Sequence, residues 1–143
     1  MMAPAFHVAQ ETAVWPPPPP LRELLLDADP DERQVADHLA HGELYVARSR
    51  GAAAGAIVIR QTGEDTWEIM NCSVAPEYRR HGCGTALVLH ALHIIRNKGA
   101  RYAELGTCDA SPGPMALYES CGFRISGVVK NHFTDNYPEP VWD

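Results

Sequence analysis

The residues best suited to chemistry in this sequence lie in one stretch, Val74-Ala75-Pro76-Glu77-Tyr78-Arg79-Arg80-His81-Gly82-Cys83-Gly84-Thr85-Ala86-Leu87. A strand-like run precedes it and the most strongly periodic helical run of the chain follows it, so a basic, glycine-containing turn leads from strand into helix. The first N–H groups of a helix lack intrahelical acceptors and the helix dipole favours an anion there, while glycine lets the backbone approach a phosphate closely. A pyrophosphate suits such a turn. The plainer alternative is a helix entry that uses glycine for tight packing, with Arg79 and Arg80 merely solvated. Two common phosphate motifs are excluded by their letters. A Walker A loop needs Gly-Lys-Ser/Thr where this chain has Gly84-Thr85-Ala86, and a dinucleotide fingerprint needs a third Gly or Ala where it has Leu87.

Cysteines at 72, 83, 108 and 121 form no C-x-x-C pair, and a chain of 143 residues can build a core without a disulfide scaffold, so reduced thiols are expected. His81, His90 and His93 lie in or beside one amphipathic segment with no H-E-x-x-H and no zinc spacing, so no metal is expected.

The elements that position this stretch are legible from periodicity and punctuation. Phe6 to Ala9 is a weak strand, and the prolines at 16–20 predict an extended or polyproline II connector. Leu21 to Leu26 reads as a short helix. Asp29-Pro30-Asp31-Glu32 opens a second, with Asp29 as N-cap, and Gly42 ends it. Residues 43–47, 54–59 and 67–74 then read as strands joined by the Ser49-Arg50-Gly51 and Gly63-Glu64-Asp65 turns, an antiparallel meander. A helix over 82–98, a strand at 102–105, a short helix near 115–121 and a last strand near 123–129 follow. The fold class is mixed α/β, with a meander leading into a strand-helix-strand crossover that makes its strands parallel.

The spacing Arg79-x-x-Gly82-x-Gly84 resembles the coenzyme A loop of the GNAT superfamily of acetyl-CoA-dependent N-acetyltransferases. Glu68-Ile69-Met70-Asn71-Cys72-Ser73-Val74 is similar to the fourth strand of that fold, including the E-I-x-x-C-x-V/I pattern of its histone-acetylating branch. Leu117-Tyr118-Glu119-Ser120-Cys121-Gly122-Phe123 is similar to the L-Y-E-x-x-G-F segment of its last helix. The three motifs occur in order and cover roughly residues 43 to 130.

The resemblance implies a sheet that splays between its fourth and fifth strands, with the pantetheine arm of acetyl-CoA lying in the gap. Backbone groups of Cys72 and Val74, with Ser73 between them, would bind the acetyl carbonyl and pantetheine amides. Arg79, Arg80, His81, Gly82, Cys83, Gly84 and Thr85 would hold the pyrophosphate. Ser111 stands where many members carry Asn at the start of the last helix, and it is also a plausible N-cap before Pro112. Acylating an amine makes two proton demands, one to unmask the nucleophile and one to protonate the departing thiolate. The resemblance makes Glu68 the general base, directly or through water, and Tyr118 the general acid.

Composition bounds the partners. Twelve Lys+Arg against 18 Asp+Glu give a net charge of −6, which disfavours nucleic acid. The start of the chain has no basic region leading into an apolar core, and no run of about 18 apolar residues could cross a bilayer, so no membrane partner and a cytoplasmic location are expected. The expected acceptor is a small amine or a peptide amine. Acidic Asp135, Glu139 and Asp143 favour a cationic one. A non-catalytic acyl-CoA-binding or protein-interaction module on the same fold is the alternative. Residues 1–143 read as a single acetyltransferase domain with its coenzyme-binding core at about 66–130 and the 16–20 connector inside it. In the GNAT fold a seventh strand inserts between the fifth and sixth, yet after Phe133 only a short segment containing Pro138 and Pro140 remains, and prolines cannot donate to a ladder. The last strand is therefore expected to be missing or incomplete, leaving an edge for a possible homodimer.

Overall fold

The computed structural model describes residues 5–105 and the strands at 124–126, 128–132 and 141–142. Strands β1 (His7–Glu11), β2 (Glu43–Ser49), β3 (Ala52–Gln61) and β4 (Thr66–Val74) form the antiparallel meander, and β5 (Tyr102–Leu105) joins β4 in parallel. Helices α1 (Pro19–Ala28) and α2 (Glu32–His41) cover one face, and α3 (Cys83–Asn97) covers the other. β3 is buried without a break from Ala54 to Ile59 because both its faces are roofed. Ala56 and Val58 pack with Leu21, Leu25 and Val35 of the first pair of helices, whereas Ile57 and Ile59 pack with Leu87, Ala91 and Ile95 of α3.

Three readings need correction. The helix α1 begins at Pro19, so the last two prolines of the run form its first turn, where the missing N–H costs nothing. The N-cap of α2 is Asp31, not Asp29. The Asp31 carboxylate accepts from the N–H groups of Arg33 and Gln34, and Asp29 instead accepts from the Asp31 N–H at 3.0 Å. The segment read as one last strand divides into β6 (Arg124–Ser126) and β7 (Val128–His132), which pair antiparallel with each other. β7 takes the β5 edge, and β8 (Val141–Trp142) pairs beside β6 along the far side of β7, giving the order β1-β2-β3-β4-β5-β7-β6. The return strand thus comes earlier in the chain than residues 134–143, and the edge proposed for a second copy is filled from within.

Candidate active site

The site grows from an irregularity in β4. Ile59 lies opposite Ile69 and Val58 opposite Asn71, so Met70 is an extra residue on β4, a β-bulge. A bulge bends its strand and sharpens its twist, and here the ladder to β5 runs from Thr66–Tyr102 to Ile69–Leu105. Past Met70, β4 is paired with β3 alone among the described residues. The gap implied by the resemblance would begin past this rung.

Alternation along the strand decides which groups face that gap. The Ala75 N–H donates to the Ala54 carbonyl across β3 at 2.8 Å, so Ser73 and Asn71 share this orientation. The N–H and C=O groups of Cys72 and Val74 are directed at the opposite edge, away from β3. The Val74 carbonyl accepts from Arg79 Nε at 3.1 Å. The Ser73 side chain turns the other way, toward α1, with its hydroxyl 3.5 Å from Asp27 Oδ2. The same Asp27 oxygen accepts from Arg79 Nη2 at 3.2 Å. One residue further back, Asn71 Nδ2 donates to the Leu25 carbonyl at 3.0 Å, while its buried Oδ1 has no hydrogen-bond partner. The end of α1 is thus fastened to the splayed half of β4 and to the first arginine of the glycine turn.

That turn bends sharply. Arg80 and Gly82 both adopt left-handed backbone, with φ of 65° and 84°, and Gly82 is the N-cap of α3 with no side chain capping the helix. Left-handed backbone costs a non-glycine residue about 1 kcal/mol, a strain that concentrates at functional turns. Arg80, His81 and Gly82 are exposed, and Gly84 and Thr85 are half-buried. Cys83 differs: its side chain is buried in the core, where desolvation pushes the thiol up to about 11, so only its backbone can serve a ligand. A side-chain methyl at Gly55, opposite Val74, would meet Cys83 Sγ, Leu87 Cδ1 and the Ser73 carbonyl oxygen. The first turn of α3 sits against the sheet only because position 55 is glycine.

Glu68 lies on β4 just before the bulge, half-buried, opposite Arg60 of β3 and Glu104 of β5. Arg60 pairs with Asp37 of α2 at 2.8 Å, which puts this cross-strand row on the α1/α2 face. Burial, and after it the charge of Glu104, push the Glu68 carboxyl above the usual range. Such a carboxylate holds a proton more firmly, which suits a base.

The structure therefore sets Cys72, Val74 and the 79–85 turn at the C-terminal end of β4, with Glu68 six residues before Val74 on the same strand, while the Ser73 side chain turns to Asp27 of α1 and that of Cys83 into the core. Tyr118 and Ser111 lie outside the described residues. Sequence reasoning missed Gly55, Asp27, Asn71 and Glu104. An isolated glycine in an apolar strand is a readable sign of close approach; the partners of the other three depend on which elements meet. Among the described residues no three His, Cys, Asp or Glu side chains form a group able to hold a metal, and no helix is long and apolar enough to cross a membrane.

Residues 7–123 match the model of the acetyltransferase (GNAT) family. The chain is 36% identical over 123 residues, covering 86% of its own length and 79% of the relative, to the uncharacterized N-acetyltransferase YvbK of Bacillus subtilis (strain 168). It is 26% identical over 129 residues, with coverage of 90% and 78%, to the [ribosomal protein bS18]-alanine N-acetyltransferase of Escherichia coli (strain K12). Its fold matches the crystal structure of a GNAT family acetyltransferase from Elizabethkingia anophelis with acetyl-CoA bound, at a TM-score of 0.77 and 36% identity over 96% of this chain and 88% of that one. With the motifs in order, β5 parallel to β4 and these matches over most of its length, the chain belongs to the acetyltransferase (GNAT) family of acetyl-CoA-dependent N-acetyltransferases.

Proposed function

We propose that this enzyme acetylates a primary amine of a small molecule or peptide by direct attack on the acetyl-CoA thioester, with Glu68 as base and Tyr118 as acid. The observation that supports the reading is the bulge at Met70: Glu68 lies on β4 just before it, and past it the backbone groups of Cys72 and Val74 are turned away from β3. Glu68 takes a proton from the acceptor's ammonium, directly or through water. The amine nitrogen then forms its bond to the acetyl carbon and the carbon–sulfur bond breaks. Tyr118 protonates the departing thiolate, and the nitrogen sheds its second proton to solvent. Backbone N–H groups aimed at the carbonyl oxygen would stabilise its developing charge, a contribution of about 3 kcal/mol per donor in enzymes where one has been removed.

The exposed Arg80 and His81, the left-handed turn and the uncapped start of α3 are suited to the pyrophosphate, with Gly82, Cys83, Gly84 and Thr85 contributing backbone and Ser111 a hydroxyl. Asp27 and Asp29 at the end of α1, with Glu68 and Glu104, make the α1/α2 side of the gap anionic, which favours a cationic amine. The buried thiol of Cys83 fits a reducing compartment, the cytoplasm. The relative that acts on an alanine of ribosomal protein bS18 makes a peptide N-terminus one acceptor to try.

The test is coenzyme A release from acetyl-CoA against a panel holding an alanine-terminated peptide, a lysine-containing peptide and spermidine. Release should accelerate with at least one of them. Glu68→Gln should lower that rate by about 100-fold, the lower range for loss of general base catalysis. Turnover unchanged in Glu68→Gln refutes the base assignment.

A further inference from the structure

One side chain ties α1 to the coenzyme turn. Arg79, at the start of that turn, donates from Nε to the Val74 carbonyl at 3.1 Å and from Nη2 to Asp27 Oδ2 at 3.2 Å. Asp27 stands in the last turn of α1, and the Ser73 hydroxyl lies 3.5 Å from the same carboxylate oxygen. We propose that Asp27 is a specificity residue for an acceptor that carries a second positive charge, and that Arg79 releases it when the coenzyme binds. The proposal rests on the reading of the 79–85 turn as the pyrophosphate site.

Asp27 is poorly placed for a merely structural role. A carboxylate in the last turn of a helix meets the negative end of the dipole, and α1 has no basic residue there to offset it. The side chains of Arg79 and Asp27 are 54% and 61% exposed, and a pair so wetted is weak and easily exchanged. A pyrophosphate carries more negative charge than one carboxylate and offers the guanidinium fork two oxygens, so it displaces Asp27 from Arg79. The pantetheine amides contest the other end of the same side chain, because the Val74 carbonyl that Nε holds is one the coenzyme would use. Asp27 is then left exposed without its cation, above the sheet face that carries Ser73, Asn71 and Glu68 along β4. An acceptor with two positive charges can set one nitrogen toward Glu68 and the other against Asp27. By linkage the effect is reciprocal, and the second cation tightens the coenzyme by the same factor.

The test is calorimetry of the full chain with coenzyme A and with spermidine, each titrated alone and in the presence of the other. The proteins are wild type, Asp27→Asn, Arg79→Gln and the double variant. Asp27→Asn should tighten coenzyme A by roughly two- to fivefold more in wild type than in the Arg79→Gln background, the worth of an exposed pair. The second background removes the plain repulsion between Asp27 and the phosphates, so the difference isolates the exchange. In the coenzyme A complex, Asp27→Asn should bind spermidine about tenfold more weakly, as expected for losing a hydrogen bond to a charged group. An ion pair that only fastens α1 would instead lower the melting temperature of Asp27→Asn and change coenzyme A affinity equally in both backgrounds. Equal tightening in the two backgrounds overturns the exchange. Spermidine that binds the wild-type complex no better than the Asp27→Asn complex overturns the specificity role. Coenzyme A affinity undiminished in Arg80→Glu would bring down the pyrophosphate reading itself. A weakened Arg80→Glu beside equal tightening in the two backgrounds would bring down the Arg79 exchange alone.

Discussion

Gly55→Ala tests whether the seat of α3 on the sheet controls the coenzyme turn. The added methyl would lie 2.8 Å from Leu87 Cδ1, 2.9 Å from Cys83 Sγ and 3.0 Å from the Ser73 carbonyl oxygen. The first two atoms are side-chain ends that can rotate, but both belong to fully buried residues, and the third is backbone held in the β3–β4 ladder. Overpacking of this kind costs about 1–3 kcal/mol. A middle figure of about 2 kcal/mol lowers the melting temperature by about 6 °C, at about 3 °C per kcal/mol for a chain of this size. Cys83→Ala alone removes one buried sulfur and should cost about 1 kcal/mol. The double variant places the new methyl where the sulfur was, so its loss should be about 1.5 kcal/mol rather than the additive figure of about 3 kcal/mol. The assay is urea unfolding of all four proteins, with coenzyme A affinity by calorimetry alongside. Gly55→Ala should weaken coenzyme A by shifting the first turn of α3, and adding Cys83→Ala should restore much of the affinity. Losses that add to within about 0.5 kcal/mol would refute the reasoning, since independent sites behave that way.

Arg80→Glu should weaken coenzyme A by about tenfold, about 1.4 kcal/mol, and leave the unliganded melting temperature in place, because Arg80 is exposed. Arg79→Glu should lower the unliganded melting temperature as well, since it sets a second carboxylate against Asp27; thermal shifts with and without coenzyme A separate the two variants. The hydrogen bonds from Arg48 hold the Glu11 carboxyl below its ordinary value, outweighing burial, with the Arg48 charge acting in the same direction. A depressed carboxyl stabilises above its unfolded value and loses that contribution as pH falls through its folded one. Glu11→Gln should therefore cost about 1 kcal/mol at neutral pH, and the gap to wild type should close in acid; unfolding curves across pH measure it.

Much of this protein is written locally. The glycine turn, the meander and the long helix are fixed by spacing alone: prolines and glycines punctuate the chain, and the apolar period passes from two in the strands to 3.6 in α3. The placement of Glu68 within the fourth strand also followed from its motif. Tertiary structure decided the rest. Whether Asp29 or Asp31 caps α2 depends on where α1 ends, because two aspartates one residue apart from Pro30 are equally able to cap in isolation. The role of β7 was illegible because a short strand gains a definite place only from the edge it fills, and the β5 edge exists only once the crossover has brought β5 beside β4. The Cys83 side chain, read as part of a ligand turn, is drawn into the core by the space that Gly55 leaves on another strand. Glu68 and Glu104 are 36 residues apart in the chain, and no local signal sets one beside the other. Their proximity comes from the register of a parallel ladder, a contact between distant segments that only the folded sheet can create.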